Sequence, residues 1–267
     1  MEKPLVSVII ACYNAELYID QCLTALVEQT YQNIEIVVCD DASKDGSLGK
    51  LNKWAEKDSR IKVLHNDTNL FAAATRNKCF KEAQGNYFCI QDVDDVSMPN
   101  RIERLVDVIQ SDDVDFVSSA MQCFDGALDN KTDVLICKKE YPTKKDFLRG
   151  ISFCHPATLF TRECIEKIEG YRVSPDTRRC QDYDMFMRLY AAGFRGKNIA
   201  EILYGYRLDN DNYKRRTFNA RLGEVKIRKK GYRELGIMLP WGWICAYKPI
   251  LAHIVQLIKT ISRFIFR

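Results

Sequence analysis

The sequence predicts an α/β fold in which helices flank a mostly parallel β-sheet. In the first half of the 267-residue chain, short runs rich in β-branched residues alternate with longer stretches of helical periodicity, the pattern of successive βαβ units. The first run is apolar almost throughout, as expected for a strand covered on both faces. Apolar residues make up 46% of the chain and charged residues 28%, which excludes a largely disordered or fibrous protein.

The predicted elements follow one another at regular intervals, with turn residues between them. Strands are predicted over Val6–Ala11, Ile34–Cys39, Ile61–His65, Tyr87–Gln91 and Phe116–Ala120. Helices are predicted over Ala15–Gln29, Ser47–Asp58, Ala72–Gln84 and Asn100–Ser111. Residues 121–180 are less regular and include a short helix at Lys144–Gly150, and Gln181–Ala192 is helical again, with Gly193 as its stop signal.

The C-terminal part of the chain differs from the rest in charge. The net charge is only +4, which gives no reason to expect a nucleic-acid partner, but residues 1–195 carry a net charge of −6 and residues 196–267 one of +10. We therefore divide the chain into a domain at 1–212, with halves 1–120 and 121–212, and a basic helical tail at 213–267.

The end of this tail has the pattern of an amphipathic helix. From Pro249 to Arg267 apolar residues recur at three- and four-residue steps, and the interrupting polar residues exclude a bilayer span. The pattern favours a helix lying on an anionic membrane surface, with Trp241 and Trp243 at the level of the headgroups. The alternative is packing against the domain or a partner subunit, which leaves a homodimer open.

The cysteines indicate a reducing compartment. There are 11 of them, with no CxxC pair, and most lie among apolar neighbours, so neither a disulfide framework nor a zinc site is expected. The first residues lack the features of a secretory signal. We expect a cytoplasmic protein, held at the inner face of the cell membrane by the tail.

The strongest chemical signal is Asp92-Val93-Asp94-Asp95, which directly follows a predicted strand. Neighbouring carboxylates at a strand end repel one another unless a cation lies between them, and oxygen ligands suit Mg²⁺ or Mn²⁺. Ligands of open α/β sheets bind beyond the carboxyl ends of the strands. The alternative is a solvated acidic turn.

Three other strand or helix ends carry candidate binding residues. Asp40 and Asp41 end the second strand, where a carboxylate accepts hydrogen bonds from a ribose or base, or else from the local backbone. Tyr13 follows the first strand, where it either stacks on a base or packs locally. Arg76, near a helix start, is placed to neutralise the aspartates or to reach a phosphate. GxGxxG, P-loop and GxSxG motifs are all lacking.

Taken in order, these segments resemble the family 2 glycosyltransferases, which have the GT-A fold. The similar segments, which span roughly residues 4–210, are Val6–Asn14, Glu28–Ser43, Asp92–Asp95, Gln181–Asp184 and Leu203–Arg207. The resemblance implies transfer of a sugar from a nucleoside diphosphate to an acceptor hydroxyl with inversion, in the synthesis of a surface polysaccharide or a lipid-linked glycan.

The resemblance also implies roles for individual residues. Asp182 matches the general base, and Asp94 with Asp95 matches the carboxylates that hold Mn²⁺ or Mg²⁺ on the diphosphate. The positions that match the nucleotide site are Ala11, Tyr13, Asn14, Asp41, Arg76 and Asp92.

The chain departs from the family pattern at four places. Gln181 replaces a glutamate, Phe71 a glycine, Thr75 an alanine, and Leu208-Asp209 stand where a histidine is usual. These departures motivate the alternative of a non-catalytic protein that binds nucleotide sugars or carbohydrates. A nucleotidyltransferase is a third reading, but it would need a basic, glycine-rich loop near the first strand, and residues 11–15 are neither.

Overall fold

The computed structural model describes residues 3–208 and 217–254. The chain divides into two compact units, each assembled from separate segments. The first, here called the sheet unit, comprises Met1–Pro142, Ser152–Tyr171 and Phe194–Asp209. The second, here called the helical unit, comprises Thr143–Ile151, Arg172–Gly193 and Asn210–Arg267. The predicted boundary at 212/213 lies outside the described residues, and the division at that point stays a prediction.

The sheet unit is built on one sheet, with nine strands among the described residues. They are β1 (Val6–Cys12), β2 (Ile34–Asp40), β3 (Ile61–His65), β4 (Tyr87–Asp92), β5 (Val96–Ser97), β6 (Phe116–Phe124), β7 (Lys131–Leu135), β8 (Thr158–Thr161) and β9 (Gly196–Arg207). Their spatial order is β3-β2-β1-β4-β8-β6-β9-β5, and β7 pairs with β6.

The sheet is parallel in its first half and mixed in its second. Strands β3, β2, β1 and β4 run parallel, as the βαβ pattern predicts. Strand β8 then pairs antiparallel with both β4 and β6, while β6 and β9 are parallel. The expectation of a mostly parallel sheet therefore holds for the first four strands, because β8 reaches its place through the irregular region instead of through a crossover helix.

Helices pack on both faces of the sheet. In the sheet unit they are α1 (Ile19–Val27), α2 (Ser47–Lys57), α3 (Phe71–Glu82), α4 (Arg101–Ser111) and α5 (Arg162–Lys167). One apolar cluster joins alternate residues of β1 and β2 to buried leucines of α1 and α4. Helix α1 begins four residues later than predicted, because residues 15–18 form a turn whose carbonyl at Ala15 accepts from the Tyr18 and Ile19 amides.

The helical unit contains α6 (Gln181–Ala191), α7 (Phe218–Glu234) and α8 (Trp243–Ala246), with a 3₁₀ helix at Lys144–Leu148. The Tyr183 and Tyr232 hydroxyls both donate to the Phe147 carbonyl, so three separate chain segments meet in one core. Gly231 lies directly against Met187, where a larger residue would not fit. Of the predicted C-terminal helix, residues 249–254 are helical, and 255–267 lie outside the described residues.

Two further predictions concern composition. Nine of the eleven cysteines are buried, as their apolar neighbours indicate. Within the described ranges, no helix combines the length and the apolar composition that a bilayer crossing requires.

Candidate active site at the carboxyl edge of the sheet

The register of the parallel strands gathers the predicted donor-site residues at one edge. Ala11 lies opposite Asp92 across β1 and β4, and Cys12 lies opposite Asp40 across β1 and β2. Asp40 in turn lies opposite His65 on β3. The carboxyl ends of four neighbouring strands therefore form a continuous polar rim.

The centre of this rim is the aspartate turn, which we define as Asp92–Asp95. The Asp95 amide donates to the Asp92 carbonyl at 3.2 Å, and this bond closes the turn. Gln91, buried at the end of β4, donates its side-chain amide to the carbonyls of Asp92 (2.8 Å) and Asp95 (3.1 Å). The turn is thus fixed at both ends by one side chain of the preceding strand.

The fully buried Arg101 fixes Gln91 and Ser97, the residues on either side of the aspartate turn. Arg101 opens α4 and donates to the Gln91 side-chain oxygen and to Ser97 Oγ, both at 2.8 Å. It also donates to the carbonyls of Ile90 (2.7 Å) and Pro156 (2.8 Å). No carboxylate is among these four partners, so the positive charge is balanced by the oriented dipoles of neutral acceptors. The sequence does not predict the burial of Arg101, because an arginine at a helix start is normally exposed.

Strand β9 clamps the turn from the other side. The Asp92 amide donates to the buried Tyr204 hydroxyl at 3.1 Å, and the Arg101 guanidinium lies 4.6 Å from the centre of the Tyr204 ring. Arg207 donates its backbone amide to Asp95 Oδ1 (2.7 Å) and its side-chain Nε to the Asp94 carbonyl (2.8 Å). Tyr204 and Arg207 fall in the 203–207 segment that resembles the family, but the sequence did not show which groups they would hold.

The three carboxylates differ in their surroundings. Asp95 is 1% exposed, and burial together with the charges of Asp92 and Asp94 raises its pKa well above the usual range. Asp92 and Asp94 are half-buried. The negative charge is therefore concentrated where a ligand at the rim would meet it.

Arg76 neutralises Asp92. Its side chain is 7% exposed and donates Nη2 to Asp92 Oδ1, while Nε and Nη1 are enclosed without a hydrogen-bond partner among the described residues. The predicted contact between Arg76 and the aspartates is thus present. Two buried donors remain unused, which suits a group that binds an anionic ligand.

His155 and Tyr171 lie beside this ion pair. His155 Nε2 is 2.6 Å from the Tyr171 hydroxyl, and the Arg76 guanidinium lies 5.8 Å from the centre of the Tyr171 ring. Burial and the nearby charge of Arg76 lower the pKa of His155 to about 3, so the imidazole is neutral at physiological pH.

Both aspartates at the end of β2 hold local structure. Asp41 accepts from the Asn66 side chain (2.9 Å) and from the backbone amides of Leu70 (2.8 Å) and Phe71 (2.9 Å). Asp40 is buried and accepts from the Ser43 amide and pairs with His65, both at 3.1 Å. Both aspartates therefore accept hydrogen bonds from the local backbone, which is the alternative to ligand binding given for this pair. An ionised carboxylate has about four acceptor positions, so Asp41 retains room for one more donor.

The residues after β1 present a different surface. Tyr13 is 47% exposed, which leaves its ring accessible to a stacking partner. Asn14 accepts from the Lys44 amide at 2.8 Å and donates its own amide to Ser43 Oγ at 3.0 Å. Asn14 thus ties the loop after β1 to the loop after β2, and its contribution is to shape the rim.

The aspartate turn fits a hard divalent cation. Asp95 Oδ2 is enclosed and has no hydrogen-bond partner among the described residues, and Asp94 supplies a second carboxylate beside it. Sites of the Mg²⁺ type use one or two carboxylates and complete their ligand set with substrate phosphates. The described residues contain no group of three or more His, Cys, Asp or Glu side chains that could hold a metal ion.

Asp182 belongs to the helical unit. It lies in the first turn of α6, where the Tyr183 amide donates to Asp182 Oδ1 at 2.7 Å. It lines a cavity of about 200 Å³ together with Arg179, Arg221, Glu224 and Arg228. The structure therefore brings the predicted nucleotide and metal residues together in one unit and places the predicted base in the other.

Comparison with known proteins identifies the family. The model of "Glycosyl transferase family 2" matches residues 7–169. EpsE of Bacillus subtilis (strain 168), designated a glycosyltransferase, is 34% identical over 93% of this chain and 88% of its own length. TuaG of the same organism, designated a teichuronic acid biosynthesis glycosyltransferase, is 30% identical over 79% of this chain and 81% of its own.

A solved structure agrees with the fold. The mannosyltransferase PcManGT from Pyrobaculum calidifontis, in complex with GDP-Man and Mn²⁺, superposes with a TM-score of 0.66 at 19% identity. The match covers 100% of this chain and 82% of PcManGT. The strand order, the rim of strand ends and the family match lead to one conclusion: this chain belongs to glycosyltransferase family 2, has the GT-A fold and is a glycosyltransferase.

Proposed function

We propose that the protein transfers a sugar from a nucleoside diphosphate sugar to an acceptor hydroxyl, with inversion at the anomeric carbon. The observation that carries this proposal is the aspartate turn, which is fixed at the carboxyl edge of the sheet by Gln91, Arg101, Tyr204 and Arg207. Such rigid placement of carboxylates is what a catalytic site requires and a solvated acidic turn does not.

The nucleotide would lie along the rim formed by β1, β2 and β4. Tyr13 would stack on the base, and Asp41 would accept from the base or ribose with its remaining lone pair. Asp92 would face the ribose, and Arg76 would turn its unused donors to the diphosphate. Ala11 and Asn14 would shape the floor of the same site.

The chemistry calls for a cation and a base. Asp94 and Asp95 would hold Mn²⁺ or Mg²⁺, and such an ion, when bound, offsets the negative charge that develops on the leaving diphosphate. Asp182 would accept the proton of the acceptor hydroxyl as its oxygen attacks the anomeric carbon in line with the departing diphosphate. One displacement of this kind inverts the anomeric configuration.

We place this reaction in the synthesis of a cell-surface polysaccharide or glycolipid, on a glycan or lipid-linked acceptor. The designation of TuaG as a teichuronic acid biosynthesis glycosyltransferase supports the synthesis of a cell-surface polysaccharide. The exposed apolar residues of the tail support attachment to the anionic inner face of the cell membrane: Leu239 is 80% exposed, Trp241 65% and Ile244 58%. In this scheme residues 1–212 form the catalytic domain and 213–267 the membrane-associated tail.

Calorimetric titration tests the donor site. UDP, GDP and dTDP are titrated into the full chain with and without Mn²⁺, and we expect one of them to bind tightly only with the metal. Asp94→Asn should abolish that metal dependence, whereas the matched change Asp113→Asn, at a side chain 95% exposed, should leave it intact. Binding of all three nucleotides to Asp94→Asn as to the unaltered protein would refute the metal assignment.

The role of Asp182 is tested separately. Once a donor is known, Asp182→Asn should retain nucleotide binding and lose transfer by a factor of at least about 10². Donor binding without transfer or hydrolysis by the unaltered protein would favour the non-catalytic alternative that the departures at Gln181 and Phe71 motivate.

A further inference from the structure

The cavity beside Asp182 carries a positive charge that the proposed chemistry does not use. It is lined by Arg179, Arg221 and Arg228 against two carboxylates, Asp182 and Glu224. Among the described lining residues, three cations thus face two carboxylates, in the wall of the site where the acceptor hydroxyl would be deprotonated.

Glu224 is shared between two of these arginines. Its Oε1 accepts from Arg228 at 2.9 and 3.1 Å, and its Oε2 lies 3.3 Å from Arg221 Nη1. Arg228 is further engaged by the Tyr232 hydroxyl at 3.0 Å and packs 4.8 Å from the centre of the Tyr183 ring. All three nitrogens of the Arg228 guanidinium therefore have acceptors on α7 itself, and the contact with the Tyr183 ring joins α7 to α6.

Arg221 differs from Arg228 in this respect. Its side chain is 13% exposed. Among the described residues its one ion pair is the long contact to Glu224, and its enclosed Nε has no acceptor there. A guanidinium buried to this degree normally has its donors filled. An unfilled donor on a cation in a cavity wall suits an anion that enters the cavity.

The basic wall extends beyond this cavity. A second cavity, of about 460 Å³, shares Arg179 and Ala220 with the first and is also lined by Arg178 and Lys226. Lys226 is paired there with Asp176 at 3.1 Å. The cationic side of the site thus continues away from Asp182 along the first turns of α7.

From this arrangement we infer that the acceptor carries a phosphate or diphosphate group next to the sugar whose hydroxyl reacts. The carboxylate of Asp182 repels an anion, so the charged end of the ligand lies at Arg221 and the neutral hydroxyl lies at Asp182. The planar fork of arginine matches the oxygens of phosphate. The inference rests on the proposed role of Asp182 and narrows it to one class of acceptor.

Two ligands share this chemistry: a sugar linked to a lipid through diphosphate, and a soluble sugar phosphate. We would follow binding to the full chain by ligand-observed ³¹P and ¹H NMR, in a buffer with a chelator that keeps divalent ions off the aspartate turn. The probes are glucose 1-phosphate, glucose, inorganic pyrophosphate and farnesyl diphosphate.

We expect the phosphate-bearing probes to bind and glucose to bind at least tenfold more weakly. Arg221→Gln should weaken phosphate binding at least tenfold, and Arg221→Lys should restore part of it because it keeps the charge. Lys230→Gln, an exposed cation on the same helix, is the matched control and should change nothing. Stronger binding of farnesyl diphosphate than of pyrophosphate indicates the lipid-linked acceptor, and the reverse order with glucose 1-phosphate bound indicates the soluble one.

The inference is overturned if Arg221→Gln, shown by its unfolding curve to be folded, binds the phosphate probes as the unaltered protein does. It is equally overturned if Arg221→Gln weakens Mn²⁺-dependent nucleotide binding to the same extent, because the arginine would then serve the donor. Failure of nucleotide binding in the unaltered protein, with Arg221-dependent phosphate binding intact, would instead count against the proposed function.

Discussion

Arg101 and Arg104 lie one turn apart on α4, and their environments are opposite. Arg101 is fully buried and donates to two backbone carbonyls, a hydroxyl and an amide oxygen. Arg104 is on the surface, where it pairs with Glu201 at 2.7 Å. The same residue type therefore supports the aspartate turn at one position and contributes a solvated ion pair at the other.

Replacing these arginines by methionine should separate the two roles. Arg101→Met leaves the carbonyls of Ile90 and Pro156 buried without donors, so we expect a loss of about 3 kcal/mol in the free energy of unfolding. Arg104→Met should cost about 0.2–1 kcal/mol, as for other exposed pairs. Urea unfolding measures both, and equal losses would contradict the supporting role of Arg101.

His155 makes the stability of the protein sensitive to mild acid. Its pKa is about 3 in the folded state, lowered by burial and by Arg76, and about 6.5 in the unfolded chain. Below pH 6.5 the unfolded state takes up a proton that the folded state does not, so the stabilising contribution is complete above pH 6.5 and is lost as the pH falls towards 3.

His155→Gln, which keeps a polar group near Tyr171, should remove this dependence. Relative to the variant, the unaltered protein should lose about 2 kcal/mol between pH 6.5 and pH 5. Denaturant unfolding of both proteins at several pH values gives the difference directly. Parallel pH profiles would show that His155 is protonated in the folded state.

At the scale of the element, the start of α3 shows how a family departure is accommodated. Phe71, which replaces the glycine of the family pattern, has a φ of 66°, in the left-handed region. The Asp41 carboxylate holds the Leu70 and Phe71 amides and so fixes this conformation. A non-glycine residue there costs about 1–2 kcal/mol, which the capping carboxylate offsets.

Phe71→Gly should therefore be about 1 kcal/mol more stable than Phe71→Ala, once the greater freedom of glycine in the unfolded chain is included. The alanine variant is the control for the lost ring, since both changes remove it. Thermal or urea unfolding supplies the comparison. A more stable alanine variant would contradict the strain at this position.

The elements differ in how far the sequence predicts them. Strands β1–β4 and helices α2–α4 begin and end within two residues of their predicted bounds, because each is a local apolar pattern with a turn at its end. The sequence does not predict β7, because all five of its residues are exposed and show no apolar pattern. It does not assign β8 or β9 as strands either, because these pair with strands far along the chain. The aspartates of the rim were found because charge at a strand end is visible in sequence. Arg101 was not, because only the three-dimensional packing shows that it is buried.

For the whole molecule, we expect the exposed apolar residues of 239–254 to set how the protein distributes between water and a membrane. Leu239 and Trp241 are among the most exposed apolar side chains described, and basic residues of α7 and Lys248 lie in the same unit. Apolar insertion and attraction of cations to anionic lipid act together at such a surface.

We expect the full chain to sediment with anionic phosphatidylglycerol vesicles and only weakly with phosphatidylcholine vesicles. The double change Leu239→Ser, Trp241→Ser should reduce vesicle binding at least tenfold, whereas Leu17→Ser, at a residue 85% exposed in the sheet unit, should not. Raised salt should weaken the binding of the unaltered protein. Sedimentation of the double variant at the level of the unaltered protein would contradict a role of Leu239 and Trp241 in membrane binding.

The interleaved segments of the helical unit have a consequence for synthesis on the ribosome. The 3₁₀ helix at 144–148 and helix α6 emerge well before α7, yet the Phe147 carbonyl receives the hydroxyl of Tyr232, and Met187 packs against Gly231. Until α7 leaves the exit tunnel, the apolar side of α6 has no permanent cover. We therefore expect a nascent chain that pauses before residue 232 to expose the apolar side of α6 and to be bound by chaperones.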